Sequence, residues 1–161
     1  MPQRYIDTTL FDLFKVGPGP SSSHTIGPMK AGHHFAETCA ALPRDLLVRA
    51  VRFRVRLYGS LSATGTGHGT DAAVVAGLLG TAPESCPAGL LQELMDDPHT
   101  RRKRSLGDGQ VSVCVDDVSH DAIIHDFPYS NTLVADLLDA EDNVLHSQEY
   151  YSVGGVFGKQ Q

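Results

Sequence analysis

Two stretches of the chain set chemistry-capable side chains among closely spaced glycines. The first is Gly17-Pro18-Gly19-Pro20-Ser21-Ser22-Ser23-His24-Thr25-Ile26-Gly27-Pro28, a run of hydroxyls with one imidazole. Its prolines stiffen the backbone, and a helix starting at its end would add unpaired N–H groups with partial positive charge. Hydroxyl and amide donors so placed suit a carboxylate or a phosphate. A Gly/Pro/Ser loop that only caps a helix has the same composition, and that account stays open. The second stretch is Gly59-Ser60-Leu61-Ser62-Ala63-Thr64-Gly65-Thr66-Gly67-His68-Gly69-Thr70-Asp71. Its glycines let backbone approach a ligand, and His68, flanked by Gly67 and Gly69, has no bulky neighbour beside its ring. Such a histidine is a general-base candidate. The bland alternative has glycines making turns, His68 capping a helix and Asp71 in its first turn. A nucleotide loop fits poorly: there is no Gly-Lys-Ser/Thr, and Gly65-x-Gly67-x-Gly69 departs from the dinucleotide fingerprint.

The other candidates are plainer. His33, His34, His99, His120, His125 and His146 show no H-E-x-x-H spacing and read as surface or core-edge histidines, so no metal site is expected. Asp96-Asp97, Asp116-Asp117 and Glu141-Asp142 fall near turns as solvated pairs. Cys39, Cys86 and Cys114 are widely spaced and odd in number, which suits reduced thiols better than a disulfide framework or a C-x-x-C motif. None of Lys15, Lys30, Lys103 and Lys159 sits in a context that suggests a Schiff base, so pyridoxal phosphate is not expected.

The elements that must position these residues alternate along the chain. Pro28 opens and Pro43 follows a helix over Met29 to Leu42. Val51, Phe53, Val55 and Leu57 alternate with Arg52, Arg54 and Arg56, a half-buried strand whose other face meets water or carboxylates. The Gly59 to Gly69 loop follows, then a helix from Ala72 to Leu79, capped by Gly69 or Thr70 and stopped by Gly80. A short helix over Ala88 to Met95 precedes Asp96 to Gln110, which reads as a long mobile connection bearing the Arg101-Arg102-Lys103-Arg104 run on a solvated loop. Strands are expected at Val111 to Val115, Ala122 to Phe127 and Thr132 to Leu138, the last turning through Asp139 to Asn143 into Val144 to Val153. The fold class is α+β, one domain with a mixed β-sheet covered by helices.

Composition bounds the function. At 161 residues, 41% hydrophobic and 20% charged, the chain matches a single domain that folds without metals or disulfides. A net charge of −6 argues against a nucleic-acid binder, which needs clustered Lys and Arg. No apolar run approaches a bilayer span and Met1 to Asp7 lack a secretory pattern, so a cytoplasmic protein is expected.

The run Leu10-Phe11-Asp12-Leu13-Phe14-Lys15-Val16-Gly17, followed by Gly19 through Ala31, closely resembles the N-terminal or β domain of bacterial iron–sulfur-dependent L-serine dehydratases. Tyr58 through Asp71 resembles that family's glycine-rich histidine motif, and Tyr150-Tyr151-Ser152-Val153-Gly154-Gly155 the segment closing its β domain. The likeness spans nearly the whole chain. Departures are Thr66 where the family has Lys, Val156 where it has a third Gly, and Tyr129 where it has His. The resemblance implies a lyase of amino-acid degradation that dehydrates L-serine to aminoacrylate, which hydrolyses to pyruvate and ammonia. In that family an iron of a [4Fe-4S] cluster acts on the serine hydroxyl while a base, matching His68, takes the Cα proton. Ser21, Ser22, Ser23, His24 and Thr25, with Gly67 and Asn131, match substrate-binding positions, and His24 is the next base candidate. The family's cluster is held by cysteines of a second, catalytic domain, which Cys39, Cys86 and Cys114 do not match. The chain is therefore expected as the 1–161 β domain, inactive without a cluster-bearing α domain beyond Gln161 or on a partner chain, in a homodimer. The family's β domain is similar to the allosteric substrate-binding domain of D-3-phosphoglycerate dehydrogenases. That likeness supplies the alternative reading, a non-catalytic domain binding a small carboxylate effector. The choice between L-serine and L-threonine stays open.

Overall fold

The computed structural model of the chain describes residues 25–63, 69–124, 126 and 131–152. Helix α1 (Gly27–Ala40) has Pro28 in its first turn, where no N–H donor is needed, and a single turn α2 (Arg44–Leu47) follows Pro43. Strand β1 (Arg52–Tyr58) buries Phe53, Val55 and Leu57 and leaves its arginines half-buried on the opposite face, as the alternation predicts. Then come the turn α3 (Ser60–Ala63), helix α4 (Thr70–Leu78) and helix α5 (Leu90–Asp96). The remaining strands are β2 (Arg102–Leu106), β3 (Gly109–Val113), β4 (Val118–His120), β5 (Asn131–Leu138) and β6 (Val144–Ser152).

These strands form one six-stranded mixed sheet in the order β2-β3-β1-β5-β6, with β4 also paired to β1. Strands β3 and β4 run parallel to β1 along the same edge: Ser112 faces Arg52, and Val118 to His120 face Val55 to Leu57. A tight helical turn, Val115–Asp117, separates them. On the other edge β5 runs antiparallel, with Leu137 opposite Phe53 and Leu133 opposite Leu57. Alternation then gathers Phe53, Val55, Leu57, Leu133, Ala135 and Leu137 on the face covered by helices. Phe35 of α1 packs edge-on against Phe53 and stacks on His146 of β6, with centroids 5.9 and 5.7 Å apart. On the opposite face Asp136 is buried between Arg54 and Arg56, at 2.7 and 3.2 Å. The carboxylate partner foreseen for the arginine face is therefore a residue of the neighbouring strand.

Every residue of α4 is buried, which suits a helix apolar on all sides. It crosses α1 without a side-chain layer between the two backbones. A Cβ on Gly32 would lie 2.4 Å from the Val74 carbonyl oxygen, and one on Gly77 would lie 2.0 Å from that of Met29.

Four local expectations are corrected. The stretch 96–110 is not a long mobile connection: β2 and β3 form a hairpin, with Leu106 opposite Gly109 across Gly107-Asp108 and Gly107 at φ 61°. Charged side chains conceal the alternation there, Arg102, Arg104 and Leu106 being more buried than Arg101, Lys103 and Ser105. The basic run is structural. Arg104 Nη1 donates to the Leu78 carbonyl at 2.9 Å, at the C-terminal end of α4 where a cation is favoured. Second, no strand covers residues 122–124. The ladder with β1 ends one step earlier, where Asp121 N–H donates to Leu57 O and Gly59 N–H to Ala122 O, and Ile123 and Ile124 are exposed. Third, the Gly59 to Gly69 segment begins with a helical turn, α3. Fourth, Asp117 is half-buried rather than solvated, paired with Arg52 at 3.3 Å and Arg101 at 2.8 Å.

The α1–β6 contact sets a pH dependence of stability. His34 Nδ1 lies 2.7 Å from the Tyr150 hydroxyl, and burial lowers the imidazole pKa below its ordinary value, with His33 adding in the same sense. A lowered folded-state pKa means that the unfolded chain takes up the proton first as pH falls. Stability is then complete above about 6.5 and declines below it. Denaturant midpoints measured between pH 7.5 and 5 should fall on acidification, with a shallower fall in His34→Gln; equal slopes in the two proteins would exclude His34 as the cause.

Candidate functional site

Both chemistry-bearing stretches adjoin helices that touch. Thr25, half-buried, stands at the entry to α1, and Gly69 is the residue before α4. Gly69 adopts φ 93°, a left-handed conformation that glycine takes without strain, and its carbonyl accepts the Ala73 N–H at 2.8 Å. Thr70 is the first helical residue, so Gly69 is the cap of the two candidates. Ser21, Ser22, Ser23, His24, Gly67 and His68 lie outside the described residues, as do Thr66, Tyr129 and Val156.

The residues flanking 64–68 converge on one rim of the sheet, where parallel β1 and β4 end and β5 begins. Open sheets with helical crossovers bind ligands at the carboxyl ends of parallel strands. Asn131, at the start of β5, is nearly buried; its Oδ1 accepts the Ser60 N–H at 3.0 Å and also the Ser60 hydroxyl. Because a backbone N–H must meet an acceptor, this contact orients the amide, and Nδ2 keeps its donor capacity. Ser62 Oγ donates to the Asp121 carbonyl at 2.5 Å. The turn α3 is thereby tied to β5 and to the residue after β4. At the end of β1, burial raises the Tyr58 hydroxyl pKa, opposed by Arg56 and reinforced by Asp121.

The other side of the same rim holds two groups that sequence reasoning treated as ordinary. Asp71, in the first turn of α4, is buried; its Oδ1 accepts the Ala72 N–H at 2.8 Å and its Oδ2 stands 3.9 Å from Nε2 of His120, the last residue of β4. Parallel pairing puts His120 level with Leu57 on the helix-covered face. No local pattern could flag this pair, since a strand register brings it together.

The three cysteines do not fit an iron–sulfur cluster. Cluster ligands are thiolates. Burial raises the Cys39 thiol far above the usual range, against the opposing effect of Arg104, and burial likewise raises Cys86 and Cys114. Cys39 lies within α1, Cys86 before α5 and Cys114 just after β3. Among the described residues no three His, Cys, Asp or Glu side chains gather as a metal site, and no helix is long and apolar enough to cross a membrane.

Fold and rim define an α+β domain with polar groups at the carboxyl ends of its parallel strands, among the residues that flank positions 64–68. The family model for the serine dehydratase beta chain matches residues 9–161, and the chain belongs to that family. It is 39% identical over 155 residues to L-serine dehydratase 2 of Escherichia coli, covering 92% of this chain and 32% of that protein. It is 40% identical over 154 residues to the L-serine dehydratase of Streptomyces coelicolor, covering 92% of this chain and 33% of that one. L-serine dehydratase 1 of E. coli is 38% identical over 162 residues, with 92% and 33% covered. The chain thus spans about a third of the length of these relatives.

Proposed function

We propose that this chain is the β-domain share of an iron–sulfur L-serine ammonia-lyase, in which the cluster is held by a region outside it. The likeness to proteins named L-serine dehydratases along 92% of the chain is the observation that supports this most. A cluster-bearing region elsewhere agrees with cysteines that are poor thiolates. The chain's own work is then to bind L-serine and move a proton. Neutral His68 takes the Cα proton, a task suited to an imidazole near neutral pH. Hydroxyls of Ser21, Ser22, Ser23 and Thr25, with His24, Gly67 and the Asn131 amide, hold the substrate's polar groups. Ile123 and Ile124, 60% and 91% exposed, add apolar surface beside the rim for the cluster-bearing region to cover. We place the assembled enzyme in the cytoplasm as a homodimer, and expect this chain by itself to be inactive.

The test is pyruvate formation from L-serine by the whole protein, reconstituted anaerobically with iron and sulfide, with L-threonine assayed in parallel. Serine-dependent pyruvate supports the reading. A protein with full cluster absorbance that binds serine without making pyruvate points instead to an effector-binding domain.

A further inference from the structure

The residues that bracket positions 64–68 meet the sheet edge on both sides. On the leading side α3 is secured by closed hydrogen bonds, from Ser60 to Asn131 and from Ser62 to the Asp121 carbonyl. On the trailing side one contact between the start of α4 and the sheet edge, Asp71 to His120, is open: 3.9 Å separates Oδ2 from Nε2. Neither ring nitrogen of His120 makes a hydrogen bond, although both are shut away from solvent. A neutral imidazole needs one donor and one acceptor contact, and a buried ring with neither satisfied is an unfavourable state that a small movement would relieve. Asp71 is 3% exposed and His120 15%, so the ion pair, once closed, would be sheltered from water.

We infer that Asp71 and His120 are a positioning pair: contact between them locks the first turn of α4 to the end of β4 and so holds His68, three residues before Asp71, in its working place. The inference rests on the lyase reading for what His68 does. His120 is anchored by its strand, since β4 pairs with β1 through Val118, Ser119 and His120. Asp71 is anchored to its own helix through the Ala72 N–H. With both backbones held, closing the gap ties the first turn of α4 to the end of β4. Neither residue needs to touch the substrate. A displacement of about 1 Å at a reacting group can cost on the order of a hundredfold in rate, so an approach of that size is enough to matter.

The experiment uses the whole, cluster-loaded protein as wild type, His120→Ala, His120→Gln, Asp71→Asn and the double variant Asp71→Asn/His120→Ala. Steady-state kinetics on L-serine are combined with amide hydrogen exchange over the first turn of α4, with and without L-serine. His120→Ala should lower kcat by roughly tenfold to a hundredfold with little change in KM. His120→Gln, which keeps a donor, should recover most of that loss, and the double variant should be no worse than the poorer single one. L-serine should slow exchange at the start of α4 in wild type and His120→Gln but not in His120→Ala. Wild-type kcat in a folded His120→Ala protein, or losses that multiply in the double variant, would overturn the pairing. Failure of the wild type to make pyruvate would remove the lyase reading instead, and the exchange measurement still decides whether His120 secures α4.

Discussion

Replacing His68 with Ala should lower kcat/KM for L-serine by about a hundredfold to ten-thousandfold in the reconstituted protein, the usual share of a positioned general base. Cluster absorbance and thermal midpoint should stay close to wild type if the imidazole acts in the reaction rather than in the fold. The base must be neutral to act. Wild-type activity should therefore rise with pH on the acid side of its profile, and the variant should lack that limb. Added free imidazole should restore part of the variant's rate, which a purely structural role would not allow. If full activity persists, the family assignment stands and the base lies elsewhere, with His24→Ala the next variant to measure.

The second large effect concerns the fold. Gly77→Ala should destabilise the protein by about 3 kcal/mol or more, at or above the upper end of ordinary overpacking. The added Cβ would fall 2.0 Å from the Met29 carbonyl oxygen and 2.7 Å from the His33 nitrogen, both helix backbone atoms that cannot rotate aside. For a domain of this size that corresponds to a fall in Tm of roughly 6–12 °C. Gly89→Ala is the informative control. Its Cβ meets nothing within 4 Å, but φ is 86°, so only backbone strain of about 1–2 kcal/mol is expected. Were the two substitutions equally mild, the direct backbone contact between α1 and α4 would be wrong.

Much of the fold was legible in the chain because its causes are local. The alternation of Arg52, Arg54 and Arg56 with Phe53, Val55 and Leu57 makes a strand wherever it is placed, since side chains alternate across a strand every residue. Pro28 and Pro43 bracket a helix by geometry that needs no neighbour, and Asp139 to Asn143 form the turn between β5 and β6, where the Asp139 carboxylate takes the N–H groups of Glu141 and Asn143 at 2.9 and 2.8 Å. Misreadings arose where charge masked period. Arg101 to Arg104 alternate in burial as any strand does, but both faces carry cations, because one meets the Leu78 carbonyl and Glu93 and the other meets Asp117 and solvent.

The functional residues divide on the same line. His68, His24 and the serines beside it stand out in the sequence by itself, because glycine spacing and family motifs are properties of neighbouring residues. Asp71 and His120 do not, since their meeting depends on β4 lying parallel to β1 in one register, with α4 starting over its end. Gly32 and Gly77 likewise look like weak points of two helices until the crossing of α1 and α4 shows that any side chain there would meet backbone. Local periodicity follows from the repeat of a single element. Register and helix crossing follow from how whole elements bury their faces together, and only the tertiary structure decides them.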